Sequence, residues 1–154
     1  MSRSLTSNAS NAAFSFIEYE FVRSSVDFSS FKKDDGLEID FNPKGVYDED
    51  TGRFRLNLRF RVFAGYYKRR DVSDIKNIVS VDCVAMFKFR EALTIEELPN
   101  YFFANSIAIL YPYIRAFVST LTLQSNHTPV MLPTFNVTPL GEELKANTIV
   151  GSLS

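Results

Sequence analysis

Histidine and cysteine, which commonly serve in catalysis or metal binding, are sparse in this chain of 154 residues. His127 is the single histidine and Cys83 the single cysteine. The sequence predicts that His127 lies in a loop and that Cys83 faces the core from the middle of a strand, so a catalytic Cys-His pair is not expected. No glycine-rich phosphate loop, HExxH or Gly-x-Ser-x-Gly motif occurs. These observations predict a protein that is not an enzyme and that uses no metal and no cofactor.

Composition favours one globular domain that binds through apolar surface. Aromatic residues reach 14%, with 15 Phe and 7 Tyr, which is more than a small core needs. This surplus indicates an interface or an apolar binding groove. A net charge of −1 provides no global positive field for nucleic acid or anionic lipid. Residues 1–13 predict a flexible leader without the apolar segment of a secretory signal, and no uninterrupted apolar stretch predicts membrane insertion. With a single cysteine, these features predict a cytoplasmic protein.

Four segments alternate apolar and polar residues as half-buried strands do, at 14–22, 37–42, 53–62 and 78–89. The first segment is irregular, because Phe14 and Phe16 lie in one phase and the following apolar residues in the other. We expect Ile17, Tyr19 and Phe21 to point inward and a β-bulge to lie near Phe16.

The outward positions of these strands are charged, and they form a candidate docking face for a charged partner. Acidic residues lie on the first two strands and arginines on the third, which follows a long predicted loop at 43–52. Opposite charges on neighbouring strands stabilise a sheet by about 0.2–1 kcal/mol per pair. A solvated salt-bridge face is the alternative interpretation. The docking-face candidates are Glu18, Glu20, Arg53, Arg55, Arg59 and Arg61.

A long apolar helix is predicted after the strands. Thr94 and Glu97 have capping-box spacing, so a helix is expected to start there. Residues 106–126 contain one charged side chain, Arg115, and Pro112 predicts either a new helix start or a kink. A helix that is apolar nearly all round needs cover on two sides. The sheet can cover one side, and a second copy of the chain the other, so we predict a homo-oligomer. Its interface candidates are Ile114, Phe117, Val118 and Leu121.

The apolar segment 128–139 contains three prolines. Because proline cannot donate a backbone hydrogen bond, this composition predicts an extended connection. Residues 140–147 favour one or two helical turns, and the remaining residues are expected to fray.

The segment 109–137 resembles the helix and following loop of the protein-export chaperone SecB family. The resemblance is carried by Leu110-Tyr111-Pro112-Tyr113 with Arg115, and by Leu132-Pro133 followed by Asn136. The order of elements agrees over residues 14–140. The resemblance implies an α+β fold, in which a four-stranded antiparallel sheet is followed by a long apolar helix. A short helix and a frayed tail are then expected at 141–154.

The resemblance also implies a function, that of an ATP-independent holdase that keeps polypeptides unfolded and assembles as a dimer of dimers. Such proteins bind extended, aromatic-rich client segments in apolar grooves beside the first crossover loop and the loop after the helix. For each groove candidate, ordinary core packing is the alternative. The groove candidates are Phe28, Phe31, Tyr101, Phe102, Val130, Met131 and Leu132.

Two departures from the family pattern bear on partners. Export members dock the Sec motor ATPase on an acidic sheet face, whereas this chain carries arginines there, which disfavours that partner. Solitary SecB-like chaperones that protect an antitoxin in toxin–antitoxin–chaperone systems need only a client groove, and they are the alternative function. The arginines and the basic aromatic segment at 66–70 leave a third, more distant alternative, a single-stranded nucleic-acid-binding protein.

Overall fold

The computed structural model describes residues 13–29, 36–64 and 76–153 of the chain. Within these ranges the strands and helices follow the predicted order. They are β1 (Phe14–Val26), β2 (Leu37–Asp48), β3 (Arg53–Ala64), β4 (Lys76–Phe89), a 3₁₀ helix (Ile95–Glu97), α1 (Asn100–Gln124), α2 (Thr138–Ala146) and β5 (Thr148–Val150). The sheet order is β1-β4-β3-β2-β5, antiparallel except that β5 runs parallel to β2. The predicted α+β class is confirmed, with one strand more than expected.

The second strand is longer than the alternation at 37–42 predicted. It continues through Pro43 to Asp48, and a tight turn replaces the long loop. β5 pairs only with Gly45 to Tyr47 of β2, so Pro43 lies beyond it, where its missing N–H disrupts no ladder. The turn ends at Gly52, whose positive φ of 72° suits a residue without a side chain.

The register of β1 resolves the mixed phase of its sequence. Register shifts occur between Phe16 and Glu18 and between Phe21 and Arg23, so the bulge predicted near Phe16 is confirmed and a second one follows it. The first bulge absorbs Ile17, which is exposed, and the prediction that Ile17 points inward is wrong. Because of this extra residue, Phe16 and Tyr19 lie on the same face of the sheet although they are three residues apart. Phe16 pairs with Phe87 and Tyr19 with Ala85, both buried residues of β4.

One face of α1 covers the apolar face of the sheet. The capping box of Thr94 and Glu97 is present, but it opens only the 3₁₀ helix, and Pro99 separates that turn from α1. The helix runs through Pro112 without a new start. Its buried apolar positions, together with those of β3 and β4, make one core. On α1 these positions are Phe102, Phe103, Ile107, Leu110, Ile114 and Val118.

The C-terminal segment packs on the same core rather than fraying. In α2, Gly141 lies so close to α1 that an added Cβ would fall 2.7 Å from the Ala104 nitrogen, and Leu144 is fully buried. After β5, the Leu153 N–H donates to the Asp48 carboxylate at 3.0 Å. The predicted frayed tail is therefore corrected, because these contacts and the pairing with β2 order it.

By length and composition α1 would also pass as a membrane span, with a mean hydropathy of 1.3 over its most apolar stretch. Core helices of soluble proteins pass the same test. Its packing against the sheet accounts for the apolar residues that it buries.

Candidate functional site

The segment that follows α1 is anchored by a buried threonine near the end of the helix. The Thr122 hydroxyl donates to the Val118 carbonyl at 2.9 Å and accepts the Val130 N–H at 2.9 Å. The His127 N–H bonds the Thr122 carbonyl at 3.3 Å. Thr122 itself is fully buried. We call residues 127–133 the client loop, after the client groove that the sequence predicts there, and these bonds tie both its start and its middle to the helix.

The client loop presents one large apolar side chain to solvent on this rigid base. Met131 is 65% exposed, and its sulfur accepts a hydrogen bond from the Ser119 hydroxyl at 3.6 Å. At the start of the loop, the His127 ring stacks on Phe28, with centroids 3.8 Å apart and an angle of 16° between the rings. Phe28 follows β1, so the predicted crossover region and the client loop do meet. A flexible, exposed thioether suits apolar ligands of varied shape.

The other predicted groove residues do not join this site. Phe102 is buried among the rings of Phe14, Phe54, Phe87 and Phe89. It is therefore a core residue and not a groove wall.

Val130 and Leu132 also turn inward, at 9% and 1% exposure, because alternate residues of an extended segment face opposite ways. Their assignment to the groove is corrected. Tyr101 is exposed, but about 30 Å of helix separates it from Thr122. It lines a separate cavity of about 550 Å³ between α1 and α2. Phe31 lies outside the described residues.

A ring cluster at the β2 side of α1 supports the far end of the client loop. The Tyr111 hydroxyl donates to the Pro133 carbonyl, and burial raises the pKa of that phenol. Phe135 packs edge-on against Tyr111 and lies 5.0 Å from the Phe41 ring of β2. Tyr111 belongs to the family motif, which assigned it no role. The hydrogen bond from Tyr111 to Pro133 shows that Tyr111 holds the end of the client loop against α1.

A second aromatic surface, which sequence analysis did not identify as a site, lies between β1 and α1. Tyr19 and Tyr113 stack with centroids 4.4 Å apart and are each about 40% exposed. Phe16 stacks on both, and Phe21 stacks on Phe117 at 4.0 Å. The rings of β1 were visible in the sequence, but their contact with Tyr113 and Phe117 of α1 depends on the tertiary structure. We call these five residues the β1 aromatic surface.

The predicted oligomer-interface residues belong to the inward side of α1. Ile114 and Val118 are fully buried against the sheet, and Phe117 and Leu121 pack partly against the same core. Ile114 and Val118 are therefore not free to contact a second copy, and their assignment is corrected, whereas the assignment of Phe117 and Leu121 stays a prediction. The outward side instead carries small, uncharged residues at a spacing of four. They are Ala108, Pro112, Ala116 and Thr120, all exposed.

Two arginines of the predicted docking face are neutralised within the chain. Arg59 bonds Asp82 at 2.9 Å, which raises the pKa of the guanidinium, and Arg61 bonds Asp40 at 2.6 Å. The expected cross-strand pairing of β2 with β3 is thus confirmed for Arg61. Glu18 and Glu20 cannot pair with β3 in this way, because β4 lies between them and β3. The basic segment at 66–70 lies outside the described residues.

Cys83 and His127 do not form a reactive pair. Cys83 is buried on the core face of β4, and burial raises the pKa of its thiol to about 12. His127 instead stacks on Phe28. Among the described residues, no cluster of three His, Cys, Asp or Glu side chains could hold a metal ion.

The sheet order, the long apolar helix on one sheet face and the short second helix define the SecB-like fold. The solved structure of the SecB-like chaperone Rv1957 of Mycobacterium tuberculosis, in complex with a ChAD peptide from the HigA1 antitoxin, matches with a TM-score of 0.62. The match covers 84% of this chain and 91% of that chain, at 20% identity. The chain therefore has the fold of SecB-like chaperones, as the sequence resemblance implied.

Other comparisons add little about function. An uncharacterized protein of Methanocaldococcus jannaschii is 36% identical over 70 residues, which are 46% of this chain and 44% of that protein. The matched region thus spans less than half the length of that relative. A Streptococcus agalactiae protein of unknown function matches with a TM-score of 0.39 at 13% identity, over 80% of this chain and 100% of that chain. No family model matches the chain.

Proposed function

We propose that this protein is a non-enzymatic, ATP-independent chaperone that holds unfolded polypeptides in the cytoplasm. The observation that carries the proposal is the client loop, which exposes Met131 on a hydrogen-bonded base and whose first residue, His127, stacks on Phe28. The β1 aromatic surface supplies further exposed rings. Such surface buries apolar segments without requiring one shape, which a holdase needs. The SecB-like fold agrees with this activity.

The first experiment measures aggregation of two unrelated unfolded clients by light scattering. Stoichiometric protein is expected to suppress scattering without nucleotide, and added ATP is expected to change nothing. Failure at several-fold molar excess over both clients would contradict the proposal, and so would a requirement for ATP.

The client loop offers a matched pair of variants, because neighbouring residues differ in burial. Met131→Ser removes an exposed side chain, so client affinity is expected to fall while the melting temperature stays unchanged. Val130→Ser removes a buried side chain and is expected to lower the free energy of unfolding by about 1.5–3 kcal/mol. Equal client affinity in wild type and Met131→Ser would remove the loop from the client site.

The protection of an antitoxin is the second candidate function. It is supported by the solved SecB-like structure, which is in complex with an antitoxin peptide, and by the arginines on the face where export members dock the Sec motor. We propose this role ahead of protein export. Co-purification from the native host, followed by identification of bound polypeptides, distinguishes one dominant antitoxin client from a broad set of preproteins.

We also propose a homo-oligomer, a dimer of dimers, formed through the outward side of α1. The exposed, uncharged row at Ala108, Pro112, Ala116 and Thr120 allows close approach of another helix. Ala116→Glu is expected to dissociate the assembly in light scattering, because an unpaired carboxylate would be buried at the contact. Asn77→Glu, at an exposed position on β4, is the control. A monomeric wild type would refute the assembly.

A further inference from the structure

The first half of β2 has no neighbouring strand on its outer side within the described residues. The sheet order places β5 beyond β2, but β5 pairs only with Gly45 to Tyr47. On its other side, β2 pairs with β3 from Leu37 to Asp48 without a register shift. We call residues 37–42 of β2 the open edge.

The pairing with β5 shows which backbone groups of β2 point outward. The Gly45 N–H donates to the Asn147 carbonyl at 3.2 Å, and the Tyr47 carbonyl accepts an N–H from the residue after β5 at 3.0 Å. Because the direction of these groups alternates along a regular strand, the N–H and C=O groups of Ile39 and Phe41 point the same way. They have no hydrogen-bond partner in the part of the chain that the structure describes. The open edge therefore offers a row of donors and acceptors that fits the backbone of another strand.

The open edge lacks the features that commonly protect a sheet edge. Pro43 bounds it, since proline has no N–H to offer and its carbonyl already accepts the Asn147 side-chain amide at 3.3 Å. At the other end of the sheet, β1 has two register shifts, which interrupt the row of edge groups there. A regular edge without bulges is the kind that pairs with an added strand.

The open edge borders the aromatic contact at the end of the client loop. The Phe41 ring is half-buried and lies 5.0 Å from the Phe135 ring. A strand added to the edge would lie about 4.8 Å from β2. Every second side chain of that strand would lie on the Phe41 side of the sheet, where an apolar side chain extends the surface that Phe41 and Phe135 form.

We propose that the protein binds an extended client segment as an additional strand on the open edge, in line with β5. Hydrogen bonds to the backbone of Ile39 and Phe41 would supply affinity that depends little on client sequence, and apolar side chains at alternate positions would pack beside Phe41 and Phe135. The chain's own β5 occupies the adjoining part of the same edge in this way. The inference rests on the proposed holdase function and states how that function recognises its clients.

The first test uses a fluorescent nine-residue peptide in which Val and Phe alternate with Thr and Lys, together with two derivatives. Each derivative carries N-methyl groups on one alternate set of backbone amides. Only one set faces β2 in an added strand, so one derivative is expected to bind about tenfold more weakly than the parent peptide. The other derivative is expected to bind about as well as the parent.

The second test changes the edge itself with a matched pair of variants. Ile39→Pro removes one outward N–H and no bond to β3, as Pro43 does naturally, and it is expected to weaken peptide binding about tenfold. Ile39→Ala shortens the same side chain but keeps the N–H, and it is expected to weaken binding less than about threefold. Melting temperatures show whether both variants are folded, and the methylated peptides test the wild type without any substitution.

Equal affinities of the two methylated derivatives would overturn the inference, and so would equal losses in folded Ile39→Pro and Ile39→Ala. A lower oligomeric mass of Ile39→Pro would assign the edge to a second copy of the chain instead. Suppression of client aggregation by wild type separates the two proposals. If suppression is present and the derivatives bind equally, strand addition alone fails, whereas absence of suppression contradicts the holdase function itself.

Discussion

Replacing Thr122 by Val tests the anchor of the client loop with little change of shape. Thr122 is fully buried, and its hydroxyl accepts the Val130 N–H at 2.9 Å. The substitution removes that acceptor and leaves the amide of a buried residue unpaired. An unsatisfied buried donor costs about 1–3 kcal/mol. We therefore expect Thr122→Val to lower the free energy of unfolding by about that amount, or the melting temperature by roughly 2–12 °C.

The assay combines denaturant unfolding with amide hydrogen exchange at Val130. Exchange there is expected to accelerate in Thr122→Val, because the bond that protects the amide is gone. Thr122→Ser keeps the hydroxyl and is expected to keep the protection. Thr120→Val alters an exposed threonine one half-turn away and is expected to change stability by less than about 0.5 kcal/mol.

The role of Thr122 as the anchor is contradicted if Thr122→Val matches Thr120→Val in stability and leaves the Val130 amide protected. Such a result would mean that packing of the apolar loop residues, and not the threonine, holds the segment in place. Client affinity gives a second readout. A loosened loop is expected to present Met131 less uniformly and to bind clients more weakly at a temperature at which the protein is still folded.

Three further predictions concern stability and reactivity. The Cys83 thiol, whose pKa burial raises to about 12, is expected to resist maleimide at neutral pH in the folded protein and to react once denaturant is added. Gly141→Ala is expected to lower the free energy of unfolding by about 1–3 kcal/mol because its Cβ would meet the Ala104 backbone, whereas Gly36→Ala meets nothing within 4 Å and is the control. The Leu153 N–H, which donates to the Asp48 carboxylate, lowers the pKa of that carboxyl. The stabilisation of the fold by the ionised Asp48 is therefore complete above the ordinary pKa of about 4, and it is lost as pH falls through the lowered value. Asp48→Asn is expected to flatten this part of the stability–pH profile, and an unchanged acid limb would contradict the assignment.

The strands and their faces could be predicted because their pattern is local. The alternation over 53–62 identifies both the buried and the outward side of β3, and the structure agrees at every position from Phe54 to Val62. The mixed phase of β1 even located its first bulge. The motif Leu110-Tyr111-Pro112-Tyr113 indicated the SecB-like fold, which the solved relative confirms.

The orientation of α1 required the tertiary structure. An almost uncharged helix has no polar face to mark the solvent side, so spacing alone could not decide which apolar residues meet the sheet. Ile114 and Val118, predicted to meet a partner, are instead core residues. Tyr101 and Phe102 were both predicted to line the groove, but neighbours on a helix point in different directions. Tyr101 is exposed and Phe102 is buried in the core.

Long-range pairing decided the rest. The three residues of β5 are too few to form a strand alone and gain their order from β2. The row of arginines on β3 is visible in the sequence. The register shows that Arg59 and Arg61 meet Asp82 and Asp40, while Arg53 lies between Asp48 of β2 and Lys88 of β4. Which charges oppose one another depends on strand neighbours far apart in the chain, and local pattern carries no information about them.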